Sequence, residues 1–231
     1  TYMLLDYFGP TGLGYIPSTP PTLNWNGNAS GVNAALNAGA FMLLHRDHGS
    51  ETGWGEPSYS VSNLSGLTNQ GLLSFVLSIN CLTGYYARTS GPCFVEAFHR
   101  HNYGALGLIG ASDVSYSFVN DTYIFGLFDS MYPDFDPGYP APEPVGSPVL
   151  RPAFANASGK HYLQASSWPY NPQHKVYTHH LFHMHGDAFI TLNNTVPQNL
   201  TVNHANALLG GATEFTVTAN QDAIIALTVD N

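Results

Sequence analysis

Short apolar runs that stop abruptly at polar, reactive residues set the pattern of this chain. Phe41-Met-Leu-Leu44 leads into His45-Arg-Asp-His48-Gly49, and Leu72-Leu-Ser-Phe-Val-Leu-Ser-Ile-Asn ends at Cys81. Runs of this length bounded by turn residues read as buried parallel strands, and catalytic groups collect beyond the carboxyl ends of such strands. Gly104 to Ala111 is a third run of this kind and ends in Ser112-Asp113. Helical periodicity alternates with these runs. Val32, Ala35, Leu36 and Gly39 share one face of a predicted helix over Ser30–Ala40, with Ser30 as N-cap. Pro92–His101 predicts a second helix with Pro92 at its first position, and Asp121–Met131, Ala153–Ala165 and Lys175–His183 three more. Val61–Leu67 supports a short helical turn at most. Strands and helices alternating at this spacing predict an α/β fold, a mostly parallel sheet with helices on both faces.

Three stretches depart from that pattern. The opening Tyr2–Phe8 reads as a strand or the end of one, followed by a Gly- and Pro-rich loop to Asn28. Pro133 to Pro152 holds seven prolines and reads as a long surface loop. From Ala188 the residues become β-type, in Phe189–Leu192, Leu200–Val202, Glu214–Thr218 and Ala223–Val229, with short polar turns between. The predicted organisation is therefore an α/β unit over residues 1–187 and the start of a β-sandwich module over 188–231.

Composition narrows the partners. The 231 residues are 44% hydrophobic and 13% aromatic, which places the chain among globular proteins. Charged residues make up only 9%, and 6 Lys and Arg leave a net charge of −9. Nucleic acid and anionic membrane both need a basic surface, so neither is an expected partner; a cationic ligand suits the chain better. No apolar run approaches the roughly 20 residues that cross a bilayer. The missing initiator Met suggests a processed product. Asn-x-Ser/Thr sequons at Asn28, Asn63, Asn120, Asn156, Asn193 and Asn199, with the scarcity of Lys, favour an extracellular or cell-surface glycoprotein. Two cysteines, Cys81 and Cys93, are too few for a disulfide framework.

Cys81 and His48 are the candidate chemistry. A thiol becomes a nucleophile when an imidazole within hydrogen-bond reach takes its proton, and neighbouring parallel strands would present these two at one sheet edge. Spacing alone leaves the plainer alternative open, Cys81 as a small core hydrophobe and His48 as a loop residue. A second cluster, His179, His180, His183 and His185, includes an i, i+4 pair that would share one helical face and suffice for adventitious zinc.

His48-Gly-Ser-Glu-Thr-Gly-Trp54, Leu67-Thr-Asn69, Asn80-Cys81, Pro92-Cys-Phe-Val-Glu-Ala97 and Gly110-Ala-Ser112, in this order, resemble the gingipain family of cysteine endopeptidases. That family belongs to the caspase-like clan, marked by one apolar block ending in His-Gly and another ending in Cys. The likeness runs from about Ala34 to Phe128; Gly186-Asp187 resembles the end of the catalytic domain, and the β-type tail then corresponds to the family's immunoglobulin-like module. The resemblance implies a secreted thiol protease with His48 and Cys81 as the catalytic pair, and backbone N–H groups of Gly49 and Cys81 as the oxyanion hole. It makes Cys93 a structural residue in its Pro-Cys-Phe block and leaves Glu51 and Trp54 open between loop packing and substrate contact.

Three departures bear on activity. The acid that orients the histidine in gingipains lies upstream of the His-Gly block, beyond the start of this chain, so a second chain of the same precursor or a lost N-terminal half would supply it. Arg46-Asp47 stands where relatives have small residues, placing a cation at the mouth of the specificity pocket, with Phe118, Asn120 and Asp121 as its other expected members. Asp121 or Asn120 would either neutralise Arg46 or bind a basic side chain, and a glycan on Asn120 would block the pocket. No cofactor is required by this chemistry, although calcium is common in the family, and Asp134, Asp136 and Glu143 are the candidate ligands. The alternative implied by the departures is a catalytically silent gingipain fold serving as a surface or filament-forming glycoprotein, its unfinished sandwich completed by a neighbour's strand in self-assembly.

Overall fold

The computed structural model describes residues 9–14, 27–132, 135, 150–167, 172–193, 199–208, 210–223 and 226. The predicted strand at Tyr2–Phe8, nearly all of the proline-rich stretch with Asp134, Asp136 and Glu143, and most of Ala223–Val229 lie outside these residues. The described chain divides into a unit ending at Leu192 and a second beginning at Asn193.

The first unit is built on a four-stranded sheet of β1 (Met42–His45), β5 (Ser74–Ser78), β6 (Ala105–Ala111) and β7 (Phe182–His185), in that order. β1, β5 and β6 run parallel and β7 closes the edge antiparallel. Side chains alternate across the sheet. Phe75, Leu77 and Ile79 of β5 and the residue after it face one core with α3 (Ser117–Met131), α4 (Pro152–Ala165) and α5 (Pro172–Leu181). Val76 and Leu108 face the other, with α1 (Ala29–Asn37), α2 (Phe94–Arg100) and a 3-10 turn at Val61–Gly66. Helices thus cover both faces of a mostly parallel sheet, the caspase-like arrangement expected.

The local starts and stops differ from the sequence reading in ways that have physical causes. α1 is capped by Asn28, whose side chain accepts from the Gly31 N–H at 2.9 Å, and not by Ser30. α2 starts after Cys93 rather than at Pro92, because Glu96 reaches back to the Cys93 N–H at 2.9 Å in a capping box. The helix predicted to run to His183 ends at Leu181, and Phe182–His185 is strand β7 instead, paired with Leu108–Ala111. β-type pairing with a buried neighbour overrides the local helical spacing here.

α3 and α4 cross closely because glycine sits at the contact on both. A methyl at Gly126 would stand 2.5 Å from the Tyr162 Cγ, and one at Gly159 would stand 2.7 Å from the Tyr123 carbonyl oxygen. A small hairpin-like sheet, β2 (Gly49–Ser50), β3 (Gly53–Trp54) and β4 (Tyr59–Ser60), follows β1.

In the second unit, β8 (Val202–His204) and β9 (Val217–Ala219) pair antiparallel; β8 begins where the predicted Leu200–Val202 ends, and β9 overlaps the predicted Glu214–Thr218 at Val217 and Thr218. Phe189–Leu192, predicted as a strand, is irregular and belongs to the first unit, where the Leu192 N–H donates to the Leu150 carbonyl at 2.7 Å.

Candidate active site

The parallel pairing of β1 with β5 sets His45 opposite Ser78. His48 and Cys81 each lie three residues past that pair, so the two strands deliver them to the same sheet edge. The turn after His48 lies directly on the Cys81 backbone: a methyl at Gly49 would stand 2.6 Å from the Cys81 carbonyl oxygen and 2.9 Å from the Asn80 Cγ. Only glycine allows that approach. His48 is exposed and Cys81 half-buried, and among the described residues no hydrogen bond joins them.

A buried polar network underpins this edge. Ser78 Oγ accepts from the Trp54 indole N–H at 2.8 Å and donates to Asn80 Oδ1 at 3.0 Å. Thr83 Oγ1 donates to the same oxygen at 2.9 Å. With Oδ1 committed as acceptor, the Asn80 amide N–H donates to His45 Nδ1 at 2.6 Å, which fixes that imidazole as the tautomer whose Nε2–H donates to the Glu56 carbonyl at 3.1 Å. His45 is 7% exposed and stacks flat on Trp54 with 4.3 Å between ring centroids. Burial pushes its pKa below the ordinary histidine value, so the ring is neutral. Asn80, directly before Cys81, is thereby held from both sides.

The Cys81 sulfur is gripped by Ser115. Its thiol donates to the Ser115 carbonyl at 3.3 Å, and the Ser115 N–H and hydroxyl point back at the sulfur from 3.4 and 3.8 Å. Leu82, the next residue, is in left-handed backbone at φ 61 while its N–H donates to the Asp113 carbonyl at 3.1 Å. A non-glycine residue in that region costs about 1 kcal/mol and is retained where surrounding contacts impose it.

Arg46 does not point free into solvent. Its Nε donates to Asp121 Oδ1 at 2.7 Å and its Nη2 to the Ser117 carbonyl at 2.7 Å, both on α3. Of the two expected partners, Asp121 neutralises Arg46, while Asn120 is 2% exposed and donates to the Ser115 hydroxyl at 2.7 Å. Phe118 is 64% exposed at the start of the same helix. Around the rim, Tyr116 stacks on His174 at 3.9 Å, and the Tyr177 hydroxyl donates to Asp113 at 2.7 Å, which holds that carboxyl below its usual range.

Other expectations resolve toward structure. Glu51 takes a hydrogen bond from Arg88 at 2.9 Å while its carbonyl accepts from the Phe94 N–H at 2.8 Å, and Trp54 is core. Cys93 is a free thiol, fully buried, and burial raises its pKa. His179 and His180 lie in the last turn of α5 but His183 and His185 lie on β7, so His179 and His183 do not share the helical face expected; His183 bonds Ser112 at 3.2 Å, and among the described residues no group of metal-ligating side chains assembles. Two sequons are also corrected. Asn120 and Asn156 are interior residues, the latter accepting from the Tyr123 hydroxyl at 2.6 Å, so neither has room for a glycan in the folded chain. Asn28, Asn193 and Asn199 are exposed and Asn63 half-buried.

Residues 17–193 match the model of peptidase family C25. The chain belongs to that family. Over 66 residues it is 36% identical to gingipain R2 of Porphyromonas gingivalis, covering 29% of this chain and 9% of that protein. Over 88 residues it is 34% identical to Lys-gingipain W83 of the same organism, covering 38% of this chain and 5% of that one. Among solved structures, the Arg-specific cysteine proteinase gingipain R superposes with a TM-score of 0.65 at 19% identity, over 95% of this chain and 48% of that chain. A complex of the Porphyromonas gingivalis RgpB pro- and mature domains gives 0.66 at 18%, over 89% and 46%. The likeness to these structures is one of fold. This C25 chain spans about half the length of those solved chains and under a tenth of the curated relatives. Ser115, His45 and Asn80 carry one signal in the sequence, their place as polar residues at the ends of otherwise apolar runs, and their partners follow only from the fold.

Proposed function

We propose that this C25 chain carries the Cys/His pair of a secreted cysteine endopeptidase. The observation that supports the reading is the register of β1 and β5, which sets His48 and Cys81 at equal offsets beyond one sheet edge. In the reaction His48 takes the thiol proton as the sulfur bonds to the scissile carbonyl carbon, and the oxyanion collects on the N–H groups of Gly49 and Cys81. Collapse of the adduct breaks the C–N bond, and the amine leaves with the proton from His48. Water, giving a proton back to His48, then attacks the thioester, and the acid product departs as the thiol is restored.

Asp121, already paired with Arg46, is not free to bind a basic side chain, so the favoured residue before the cleaved bond is neutral. Exposed Asn28, Asn193 and Asn199 are the proposed glycan sites, in keeping with an extracellular or cell-surface setting.

The test is a thiol-directed acyl probe under reducing conditions with calcium, comparing the wild type with Cys81→Ala. Labelling that vanishes in the variant supports the peptidase. A second reading, a silent C25 fold kept as a surface or filament-forming glycoprotein, draws on one observation: the sulfur bonds to Ser115 and not to His48. Absence of Cys81-dependent labelling, with ordered polymers seen by electron microscopy, would favour it.

A further inference from the structure

We propose that Ser115 is a positioning residue for the Cys81 sulfur and that Asn120 aims its hydroxyl; this rests on Cys81 being the nucleophile. Three Ser115 atoms surround the sulfur: the carbonyl oxygen at 3.3 Å, which accepts from the thiol, and the N–H and hydroxyl at 3.4 and 3.8 Å, which donate toward it. The hydroxyl direction is not left to chance. Asn120, 2% exposed and rooted in α3, donates its amide N–H to the Ser115 oxygen at 2.7 Å, which occupies an acceptor position and turns the hydroxyl proton toward the remaining partner, the sulfur. Its own Oδ1 is buried without a hydrogen-bond partner among the described residues. A buried polar atom left unsatisfied is costly and marks a group retained for some other role.

The arrangement has two settings. While the sulfur holds its proton, the thiol is parked on the Ser115 carbonyl. Once His48 has taken that proton, the carbonyl no longer binds the sulfur, and the two remaining donors face a negative charge, where hydrogen bonds are strongest. Ser115 therefore releases the thiol from one partner and steadies it with two others, without taking part in proton transfer itself.

The test is the rate of Cys81 alkylation by iodoacetamide, which needs no turnover, in the full chain with calcium under reducing conditions. Cys93 serves as the fold control, because a buried thiol stays unlabelled while the core is intact. Ser115→Ala is expected to slow alkylation about tenfold, the effect of one hydrogen bond to a charged group. Ser115→Thr, which keeps the hydroxyl, is expected to recover to within about threefold of wild type. Asn120→Ser, acting from α3, is expected to slow it by a smaller factor, and it stands in if Ser115→Ala exposes Cys93. A space-filling role predicts the reverse, faster alkylation as truncation opens the sulfur. Wild-type or faster rates in Ser115→Ala, or a Thr variant as slow as Ala, would overturn the proposal. Loss of acyl-probe labelling alone, with this pattern intact, would count against the peptidase and not against Ser115.

Discussion

Acid should weaken this fold through His45, and the size of the effect follows from its surroundings. Its Nδ1 accepts from Asn80 at 2.6 Å and its Nε2–H donates at 3.1 Å, so a second proton would set N–H against N–H in a site 7% exposed. Burial is the main cause of the lowered pKa. The sign follows from that direction: the folded ring stays neutral while the unfolded ring charges near its ordinary value of 6.5, so stability is complete above that pH and falls below it, until the folded ring also protonates. The loss is at most about 1.4 kcal/mol per pH unit in that window. His45→Asn keeps an acceptor for Asn80 but removes the Glu56 bond and the stack on Trp54, which together are worth about 1.5–2.5 kcal/mol at neutral pH. Urea unfolding of both proteins at about pH 7.5, 6.5 and 5.5 gives the double difference, in which His179, His183 and His185, also shifted down by burial, cancel. The variant should start lower and lose less on acidification. Parallel pH curves for the two proteins would refute the assignment.

Gly126→Ala should destabilise by about 1–3 kcal/mol despite the better helix propensity of alanine, because Tyr162 on α4 cannot retreat without opening the crossing; chemical denaturation measures it. Gly71→Ala, where a methyl meets nothing within 4 Å, should stay within about 0.5 kcal/mol. Cys93 should resist alkylation until the chain unfolds, while half-buried Cys81 reacts in the native state, as peptide mass mapping would reveal. Arg46→Ala should free Asp121 and shift cleavage in a peptide library toward Lys or Arg before the scissile bond; an unchanged neutral preference would separate the ion pair from substrate choice.

The two central strands were legible because they are nearly uniformly buried: Ser74–Ser78 is buried at every position and Ala105–Ala111 at all but one, so each reads as a continuous run. Cys81 was legible for the same reason, as the point where burial ends, whereas β1 is an edge strand buried only at His45, and His48 was legible as the polar end of an apolar run. β7 was not. Phe182-His-Met-His185 has no run of its own and follows a helix, and only its pairing with Leu108–Ala111 makes it a strand. Cap positions failed by one or two residues because Asn28 and Ser30 are both good caps and local sequence does not choose between them. The polar members of the site failed more deeply. His45 and Asn80 meet across the β1–β5 pair, and Ser115 reaches Cys81 from the β6–α3 loop; such partners are set by strand order and register.

That dependence also explains why the site tolerates so many buried polar groups. A lone Asn or His in an apolar core costs more than it returns, but here each donor finds its acceptor in a chain from Trp54 through Ser78, Asn80 and His45 to the Glu56 carbonyl. Breaking one link leaves the next unsatisfied, so the network behaves as a unit and holds Asn80 in a single orientation. Since Asn80 precedes Cys81 and also presses on Gly49, one rigid amide positions both the strand end that bears the thiol and the turn that follows His48. Leu82 then accepts left-handed backbone because its two neighbours on that side, Cys81 and Thr83, are already fixed by Ser115 and by the network. The position of the Cys81 backbone is thus set below the surface, by the buried side chains of Trp54, Ser78, Asn80, Thr83 and His45.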